Sequence, residues 1–295
     1  MTAAAQVPGL ASAQPTTRPK QLELRVGITL IALVVLASIF IPIFNTTDPN
    51  ALVAAPLEPP SLAHPFGTDT VGRDVFIRVF TAGRLDLTLA VLGVIVPLVF
   101  GTILGTVIGA SRKKALDVVV MRFTDGLIAF PFIILVLMIV LIVGPEATIP
   151  PLPPGAPSVL AATWLVNWTT YARLARLRTH ILRQEDFISA TGLLGYSRTR
   201  VITKHLLPSV WPTTATFAVS DLLSIVALIA ALPFLGGGIQ PPTAEWGSIM
   251  YEGRGVISQA WWISFSTVGV VLLLGTGVMM VVDSLVSTSR RALLP

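Results

Sequence analysis

The sequence predicts an all-α polytopic membrane protein with six transmembrane helices and both termini cytoplasmic, on three observations. Hydrophobic residues make up 53% of the 295-residue chain and charged ones only 12%, which places it among membrane proteins by composition. Six stretches approach the roughly 20 mostly apolar residues that a spanning helix needs. Sixteen of the 20 Lys and Arg then fall in one alternate set of connections, and cytoplasmic loops carry such an excess.

In chain order, residues 1–25 are rich in Ala, Pro and Thr and read as a disordered cytoplasmic tail. The long polar leader and the span-length apolar run after it do not read as a signal peptide; the alternative is processing near Val53-Ala54-Ala55. The first span is 26–44, and 45–84 is an extracytoplasmic loop. A core transmembrane domain, 85–284, holds the other spans: Leu85–Ala110, Leu116–Val143 with Pro131 inside it, the weakly apolar Pro157–Ala175, Val210–Leu235 and Trp261–Val282. Residues 236–260 face outward and 285–295 form a cytoplasmic tail.

The inner cations are Arg18, Lys20 and Arg25; Arg112, Lys113, Lys114 and Arg122; seven from Arg173 to Lys204; and Arg290 and Arg291. Arg73, Arg78, Arg84 and Arg254 fall outside. The net charge of +5 is therefore an orientation signal, with room for anionic membrane lipid, and no nucleic acid is implied. With no cysteine there is no disulfide framework and no thiolate chemistry. The only lysines are 20, 113, 114 and 204, and none sits in a phosphate-cradling Gly-rich loop. His64, His180 and His205 are far apart in sequence, and no metal-ligand or paired-carboxylate motif appears.

The inward segment 184–208, "QEDFISATGLLGYSRTRVITKHLLP", is long for a connection. Gln184–Thr191 suits a short amphipathic helix, Gly192 and Gly195 break it, and Ser197 suits the N-cap of a second helix. Such a compact protrusion either docks on a partner protein or is a solvated loop whose cations fix topology.

This segment resembles the cytoplasmic loop of ABC-importer permeases: Gly195 matches that loop's glycine and Lys204-His205-Leu206-Leu207-Pro208 its ending, while Ser189-Ala190-Thr191 stand where the family has Glu-Ala-Ala. From about Phe66 onward the chain is similar to the peptide/nickel branch, of the dipeptide and oligopeptide C-subunit type. The similarity is carried by "FGTDTVGRDVFIRVFTAGRLDL" (66–87), "DVVVMRFTDGLIAFPF" (117–132), "WTTYARLAR" (168–176) and "FLGGGIQPPTAEWGSIMYEGR" (234–254). Asp283 falls on the branch's terminal Gly-Asp, and Ile229 replaces a usual Glu.

The resemblance implies a multi-pass cell-membrane permease subunit of an ATP-driven importer of short peptides, forming half of the pathway. It implies a homologous permease subunit, two ABC ATPase subunits and an extracytoplasmic substrate-binding protein as partners, with ATP and Mg on the ATPases and no cofactor on this chain. It also implies ATPase coupling through Glu185, Asp186, Ser189, Ala190, Thr191, Gly195, Arg198, Arg200, Lys204 and His205. The alternatives are a permease for nickel or another small solute, or an ATP-independent secondary carrier, which would show repeated halves and dense intramembrane charge.

Several residues inside the spans invite roles. Gly101, Gly105 and Gly109 lie four apart on one helix face, for packing within the subunit or against a partner permease. Pro131 is a kink, structural or gating. Intramembrane acids are costly, so Asp125 either pairs with Arg122 or, with Asp221, lines the pathway; the alternative for Asp221 is a hydrogen bond to a neighbouring helix. Trp261 and Trp262 suit an interfacial belt. Asp69, Arg73 and Asp74 form either a turn with internal ion pairs or a lip that contacts the binding protein.

Overall fold

In the computed structural model of the protein, which describes residues 20–111 and 114–291, the apolar runs form long helices, and no strand occurs among the described residues. Arg18, Arg112, Lys113 and residues 292–295 lie outside the described residues. Among the described residues, four helices are long and apolar enough to cross a membrane: α1 (Lys20–Phe44), α2 (Val75–Gly109), α8 (Leu207–Ala231) with the short turns flanking it, and α10 (Trp261–Arg291). Residues 20–25 and 285–291, expected as tails, are the first and last turns of α1 and α10.

The expected span 116–143 is two helices, α3 (Lys114–Ala129) and α4 (Phe132–Val143), bent by 92°. Pro131 is the cause: its ring excludes an α-helical residue before it, and it lacks the N–H the helix ladder needs. If the pair counts as one crossing, it is the fifth. α5 (Ala156–Leu182) is long enough to span at 27 residues, yet Asn167, Arg173, Arg176, Arg178 and His180 lower its apolar character.

α2 starts at Val75, ten residues before the expected start of the span at Leu85. Asp74 caps it, accepting from the Ile77 N–H at 3.2 Å, and Arg78 is fully buried in its first turns among charged partners. Composition read that stretch as loop because it scores Arg78 as polar. Pro97 lies inside α2, which continues through it. α2 packs along α5 for most of its length and also meets α1, α8 and α9 (Trp246–Gly253). α1 rests on α10, and α4 on α5.

The glycine face of α2 is turned to α5 within the chain. A Cβ at Gly101 would lie 2.5 Å from the Trp168 carbonyl oxygen, and one at Gly109 would lie 2.9 Å from Thr179 Cβ; at Gly105 it would overlap the Ala172 carbonyl. Lipid tails are as apolar as leucine, so helices in a bilayer associate through close van der Waals contact, which small residues permit. The main core lies between α2, α5, α8, α9 and α10. A smaller one, formed by Ala110, Ala175, Leu182, Ile188, Leu206 and Val210, lies at the C-terminal end of α2.

Gly105→Val is expected to destabilise the detergent-solubilised protein by about 3 kcal/mol or more, because the obstacle is backbone that cannot yield. Gly126→Ala, where a Cβ meets nothing within 4 Å, should change thermal unfolding little.

Candidate functional site

At the C-terminal end of α2, the segment after α5 folds into α6 (Asp186–Leu193), α7 (Arg198–Val201) and a π turn, Ile202–Leu206, that runs into α8. Gly192 is helical, so Gly195 alone makes the break, in the left-handed region at φ 72°. Ser197 caps α7, its side chain accepting from the Arg200 N–H at 3.4 Å.

One side of this unit sits on the small core through Ile188, Leu206 and the buried Thr191, whose hydroxyl donates to the Ile188 carbonyl at 2.6 Å. The other side is open. Leu193 is 92% exposed and Leu194 68%, among exposed Glu185, Asp186, Phe187, Ala190, Arg200 and Lys204. The Arg200 guanidinium lies 4.1 Å from the Tyr196 ring centre, and Tyr196 stacks on His205. Arg198 differs from its neighbours: its Nη2 donates to the Ala110 carbonyl at 2.7 Å. Ser189 is in α6, and its side chain is not described.

Deeper in the bundle, Asp221 of α8 is buried and its Oδ2 accepts from Asn167 Nδ2 at 2.7 Å and from the Tyr171 hydroxyl at 2.8 Å, both on α5. Asp221 is thus held by hydrogen bonds from a neighbouring helix. Asn167 also lines a cavity of ≈ 390 Å³ together with Pro131, Phe132 and Thr170. Asp125 accepts from Arg173 at 2.8 Å on a half-exposed surface, so its partner comes from α5 and the expected pairing with Arg122 is not made. Arg122 lies only three residues before Asp125, whereas Arg173 reaches across the α3–α5 contact.

At the N-terminal end of α2, residues 45–74 fold onto α9 and the start of α10. Arg73 donates to Asp69 and, from Nη2, to Glu252 Oε2 at 2.7 Å. Arg78 reaches Glu252 at 3.4 Å and Asn50 Oδ1 at 3.0 Å. His64 Nδ1 lies 2.7 Å from Asp74. Asp69, Arg73 and Asp74 are all buried and engaged within the chain, while Leu52, Val53, Leu62 and Val71 are large apolar residues that the loop leaves exposed. Trp262 is buried rather than interfacial, because its indole N–H donates to the Thr68 carbonyl at 3.1 Å; Trp261 is exposed.

The first turn of α9 is capped from two elements. Glu245 accepts from the Gly247 and Ser248 N–H groups at 2.6 and 2.7 Å, and Asp86 of α2 accepts from the Trp246 N–H at 2.9 Å. Both carboxyls are fully buried, and among the described residues neither forms an ion pair. Burial pushes the Glu245 carboxyl up to about 8 even though its two N–H bonds favour the charged form.

Sequence reasoning passed over Arg183, Asn167, Tyr171, Glu245 and Glu252. Two signals were available: Asn167 and Tyr171 are polar at i, i+4 on one face of an apolar helix, and Glu245 stands three residues before Ser248 at a helix start.

These features define a helix-bundle integral membrane protein with a folded unit at each end of α2. The chain belongs to the family described as binding-protein-dependent transport system inner membrane component, whose profile matches residues 101–291. It is 34% identical to the dipeptide transport system permease protein DppC of Alkalihalophilus pseudofirmus over 262 residues, 87% of this chain and 79% of that protein. It is 31% identical to the di/tripeptide transport system permease protein DppC of Pseudomonas aeruginosa over 255 residues, 84% and 80% of the two chains. The oligopeptide transport system permease protein OppC of Bacillus subtilis is 28% identical over 263 residues, 88% and 82%. The resemblance read from the motifs is to this family, and the protein is a membrane transport component.

Two outcomes follow from the buried charges. Arg78→Met should cost about 3 kcal/mol in thermal or denaturant unfolding, because it leaves buried carboxylates short of a partner. Unfolded Glu245 releases its proton near 4.5 and the folded residue near 8, so between those values the folded state binds more protons. Stability therefore falls as pH rises through that window. Glu245→Gln should remove this part of the slope, read as the difference between variant and parent melting temperatures.

Proposed function

We propose that the chain is a transmembrane permease subunit of an ATP-driven importer of short peptides, and that it forms half of the translocation pathway. Six crossings serve this: α1, α2, the broken α3–α4 pair, α5, α8 and α10, with both termini cytoplasmic as the cation distribution indicates. The α6–α7 unit then faces the cytoplasm, and the loops 45–74 and 236–260 face outward.

The observation that carries the reading is the open side of α6–α7. Leu193 and Leu194 stand almost free on a unit that is anchored to the bundle through Ile188, Thr191 and Leu206, beside exposed cations. A solvated loop gains nothing from such exposure, whereas a helix laid into a groove of a partner buries it. The partner is an ABC ATPase, one of two that carry ATP and Mg. The second half of the pathway comes from a homologous permease subunit, which suits the exposed faces of α4 and α10. Specificity rests largely on an extracytoplasmic substrate-binding protein, which would meet the outward loops at residues such as Leu52, Leu62 and Val71. In this reading Asp221, Asn167 and the cavity beside Pro131 line the pathway between the halves, and an acid there suits a cationic group of the substrate.

Co-purification of the chain with its ATPase and permease partners, followed by ATP-dependent peptide uptake in vesicles, tests the assignment. Uptake that persists without the ATPase would instead make the chain a secondary carrier. Gly195→Glu should leave the protein in the membrane, since a Cβ there meets no neighbour, while distorting the φ 72° turn and abolishing coupled uptake. Wild-type uptake by that variant would remove the segment from the mechanism.

A further inference from the structure

The C-terminal end of α2 carries no basic residue in its last turn, although the dipole of so long a helix leaves partial negative charge on the final carbonyls. Two guanidinium groups from elsewhere in the chain supply what is missing. Arg183, at the end of α5, donates from Nη1 to the Gly109 carbonyl at 3.1 Å. Arg198, the first residue of α7, donates from Nη2 to the Ala110 carbonyl at 2.7 Å. Charge-assisted hydrogen bonds of this kind are roughly twice as strong as neutral ones.

Beneath these bonds lies the small apolar core, in which Ala110 of the α2 end, Ala175 and Leu182 of α5, Ile188 of α6 and Leu206 of the π turn meet. Above Gly109, the glycine face keeps the two backbones of α2 and α5 in contact. The segment 186–206 is therefore fastened to the ends of two helices, and to α2 by a hydrogen bond it contributes itself. α2 in turn runs to the other end of the bundle, where Asp86 holds α9 and Arg78 holds Glu252. At about 1.5 Å per residue its 35 residues span about 52 Å.

We infer that Arg183 and Arg198 are positioning residues that join the α6–α7 unit to the ends of α2 and α5 as one body, so that displacement of the unit is delivered to α2 and through it to the outward loops. This rests on the reading of α6–α7 as the ATPase-docking unit. It also separates Arg198 from Arg200 and Lys204: all three are exposed, but Arg198 is bonded to the end of α2, and the other two are left for the partner.

The test uses the complete transporter in vesicles with loaded binding protein, and reads peptide taken up per ATP hydrolysed together with retention of the ATPase subunits. Arg198→Gln should lower that ratio about fivefold, and Arg183→Gln combined with Arg198→Gln about tenfold, with the ATPases retained. Arg198→Lys, which keeps the charge and loses the planar guanidinium, should recover about half of the ratio. A wild-type ratio in the double variant overturns the inference, and so does loss of the ATPases from the Arg198→Gln complex, which would place that residue at the partner surface.

The chain has no cysteine, so Ser111→Cys with Ser197→Cys supplies the only thiols on it. Bridging them with a short bifunctional thiol reagent should leave uptake at the level of the unbridged double variant if the unit and α2 move together, and uptake lost only on bridging overturns the inference even if the arginine variants fail to fold. A parent complex without ATP-dependent uptake would sink the functional reading itself; normal uptake by both parent and double variant would sink only the joint.

Discussion

The close approach of α2 and α5 is the constraint on which the rest of the structure depends. Inside a bilayer no gain comes from withdrawing apolar surface into more apolar surface, so two helices stay together only if their atoms fit. Three glycines spaced by four supply that fit, and the facing groups are the backbone of Trp168 and Ala172 and the side chain of Thr179. The register of α5 on α2 is thereby set to within a residue. That register places Asn167 and Tyr171 opposite Asp221, and puts Arg183 beside the last carbonyls of α2.

With this pair fixed, the charged residues fall into two groups. Those at the N-terminal end of α2 are buried and paired among themselves, tying residues 69–78 to Glu252. Removing a single partner there strands a charge, so these residues act as a set. Asp86 and Glu245 differ, because their hydrogen-bond partners are backbone N–H groups of one short helix rather than a cation. The first turn of a helix has N–H groups with no intrahelical partner, and two carboxyls from different elements satisfy three of them. The loop after α8 is therefore docked on α2 by the same groups that begin α9.

The apolar runs were legible because span length and hydropathy are summed properties, which single polar residues hardly disturb. The boundaries were less so. Arg78 reads as polar in the sequence, and only its partners Asp69, Asn50 and the distant Glu252 make it a core residue. Pro131 announced a break, but the size of the bend depends on what α4 leans on, which is α5. In the segment 184–208 the cap at Ser197 and the turn at Gly195 are local and were readable. The inward turn of Arg198 was not, because its acceptor is a backbone carbonyl 88 residues away and carbonyls carry no sequence signal.

The same distribution says where this bundle is stiff and where it yields. α2 and α5 are locked by backbone contact, and α2 is held at both ends by ionic or charge-assisted bonds. Apart from Pro97, through which α2 continues, the irregular stretches lie elsewhere: the 92° bend between α3 and α4, the π turn before α8, and Pro212 inside α8. Breaks in the hydrogen-bond ladder are where helices bend most easily. Asp221 and its two donors lie between these regions, on α8 and α5, with the bend and its cavity on the other side of Asn167. A movement that carried α8 relative to the α2–α5 pair would shear the Asp221 contacts first, because that acid is shared across the sliding surface. A lone intramembrane carboxylate held by two neutral donors is a costly way to pack two helices, but it is an economical way to make their separation depend on what else can bind the acid.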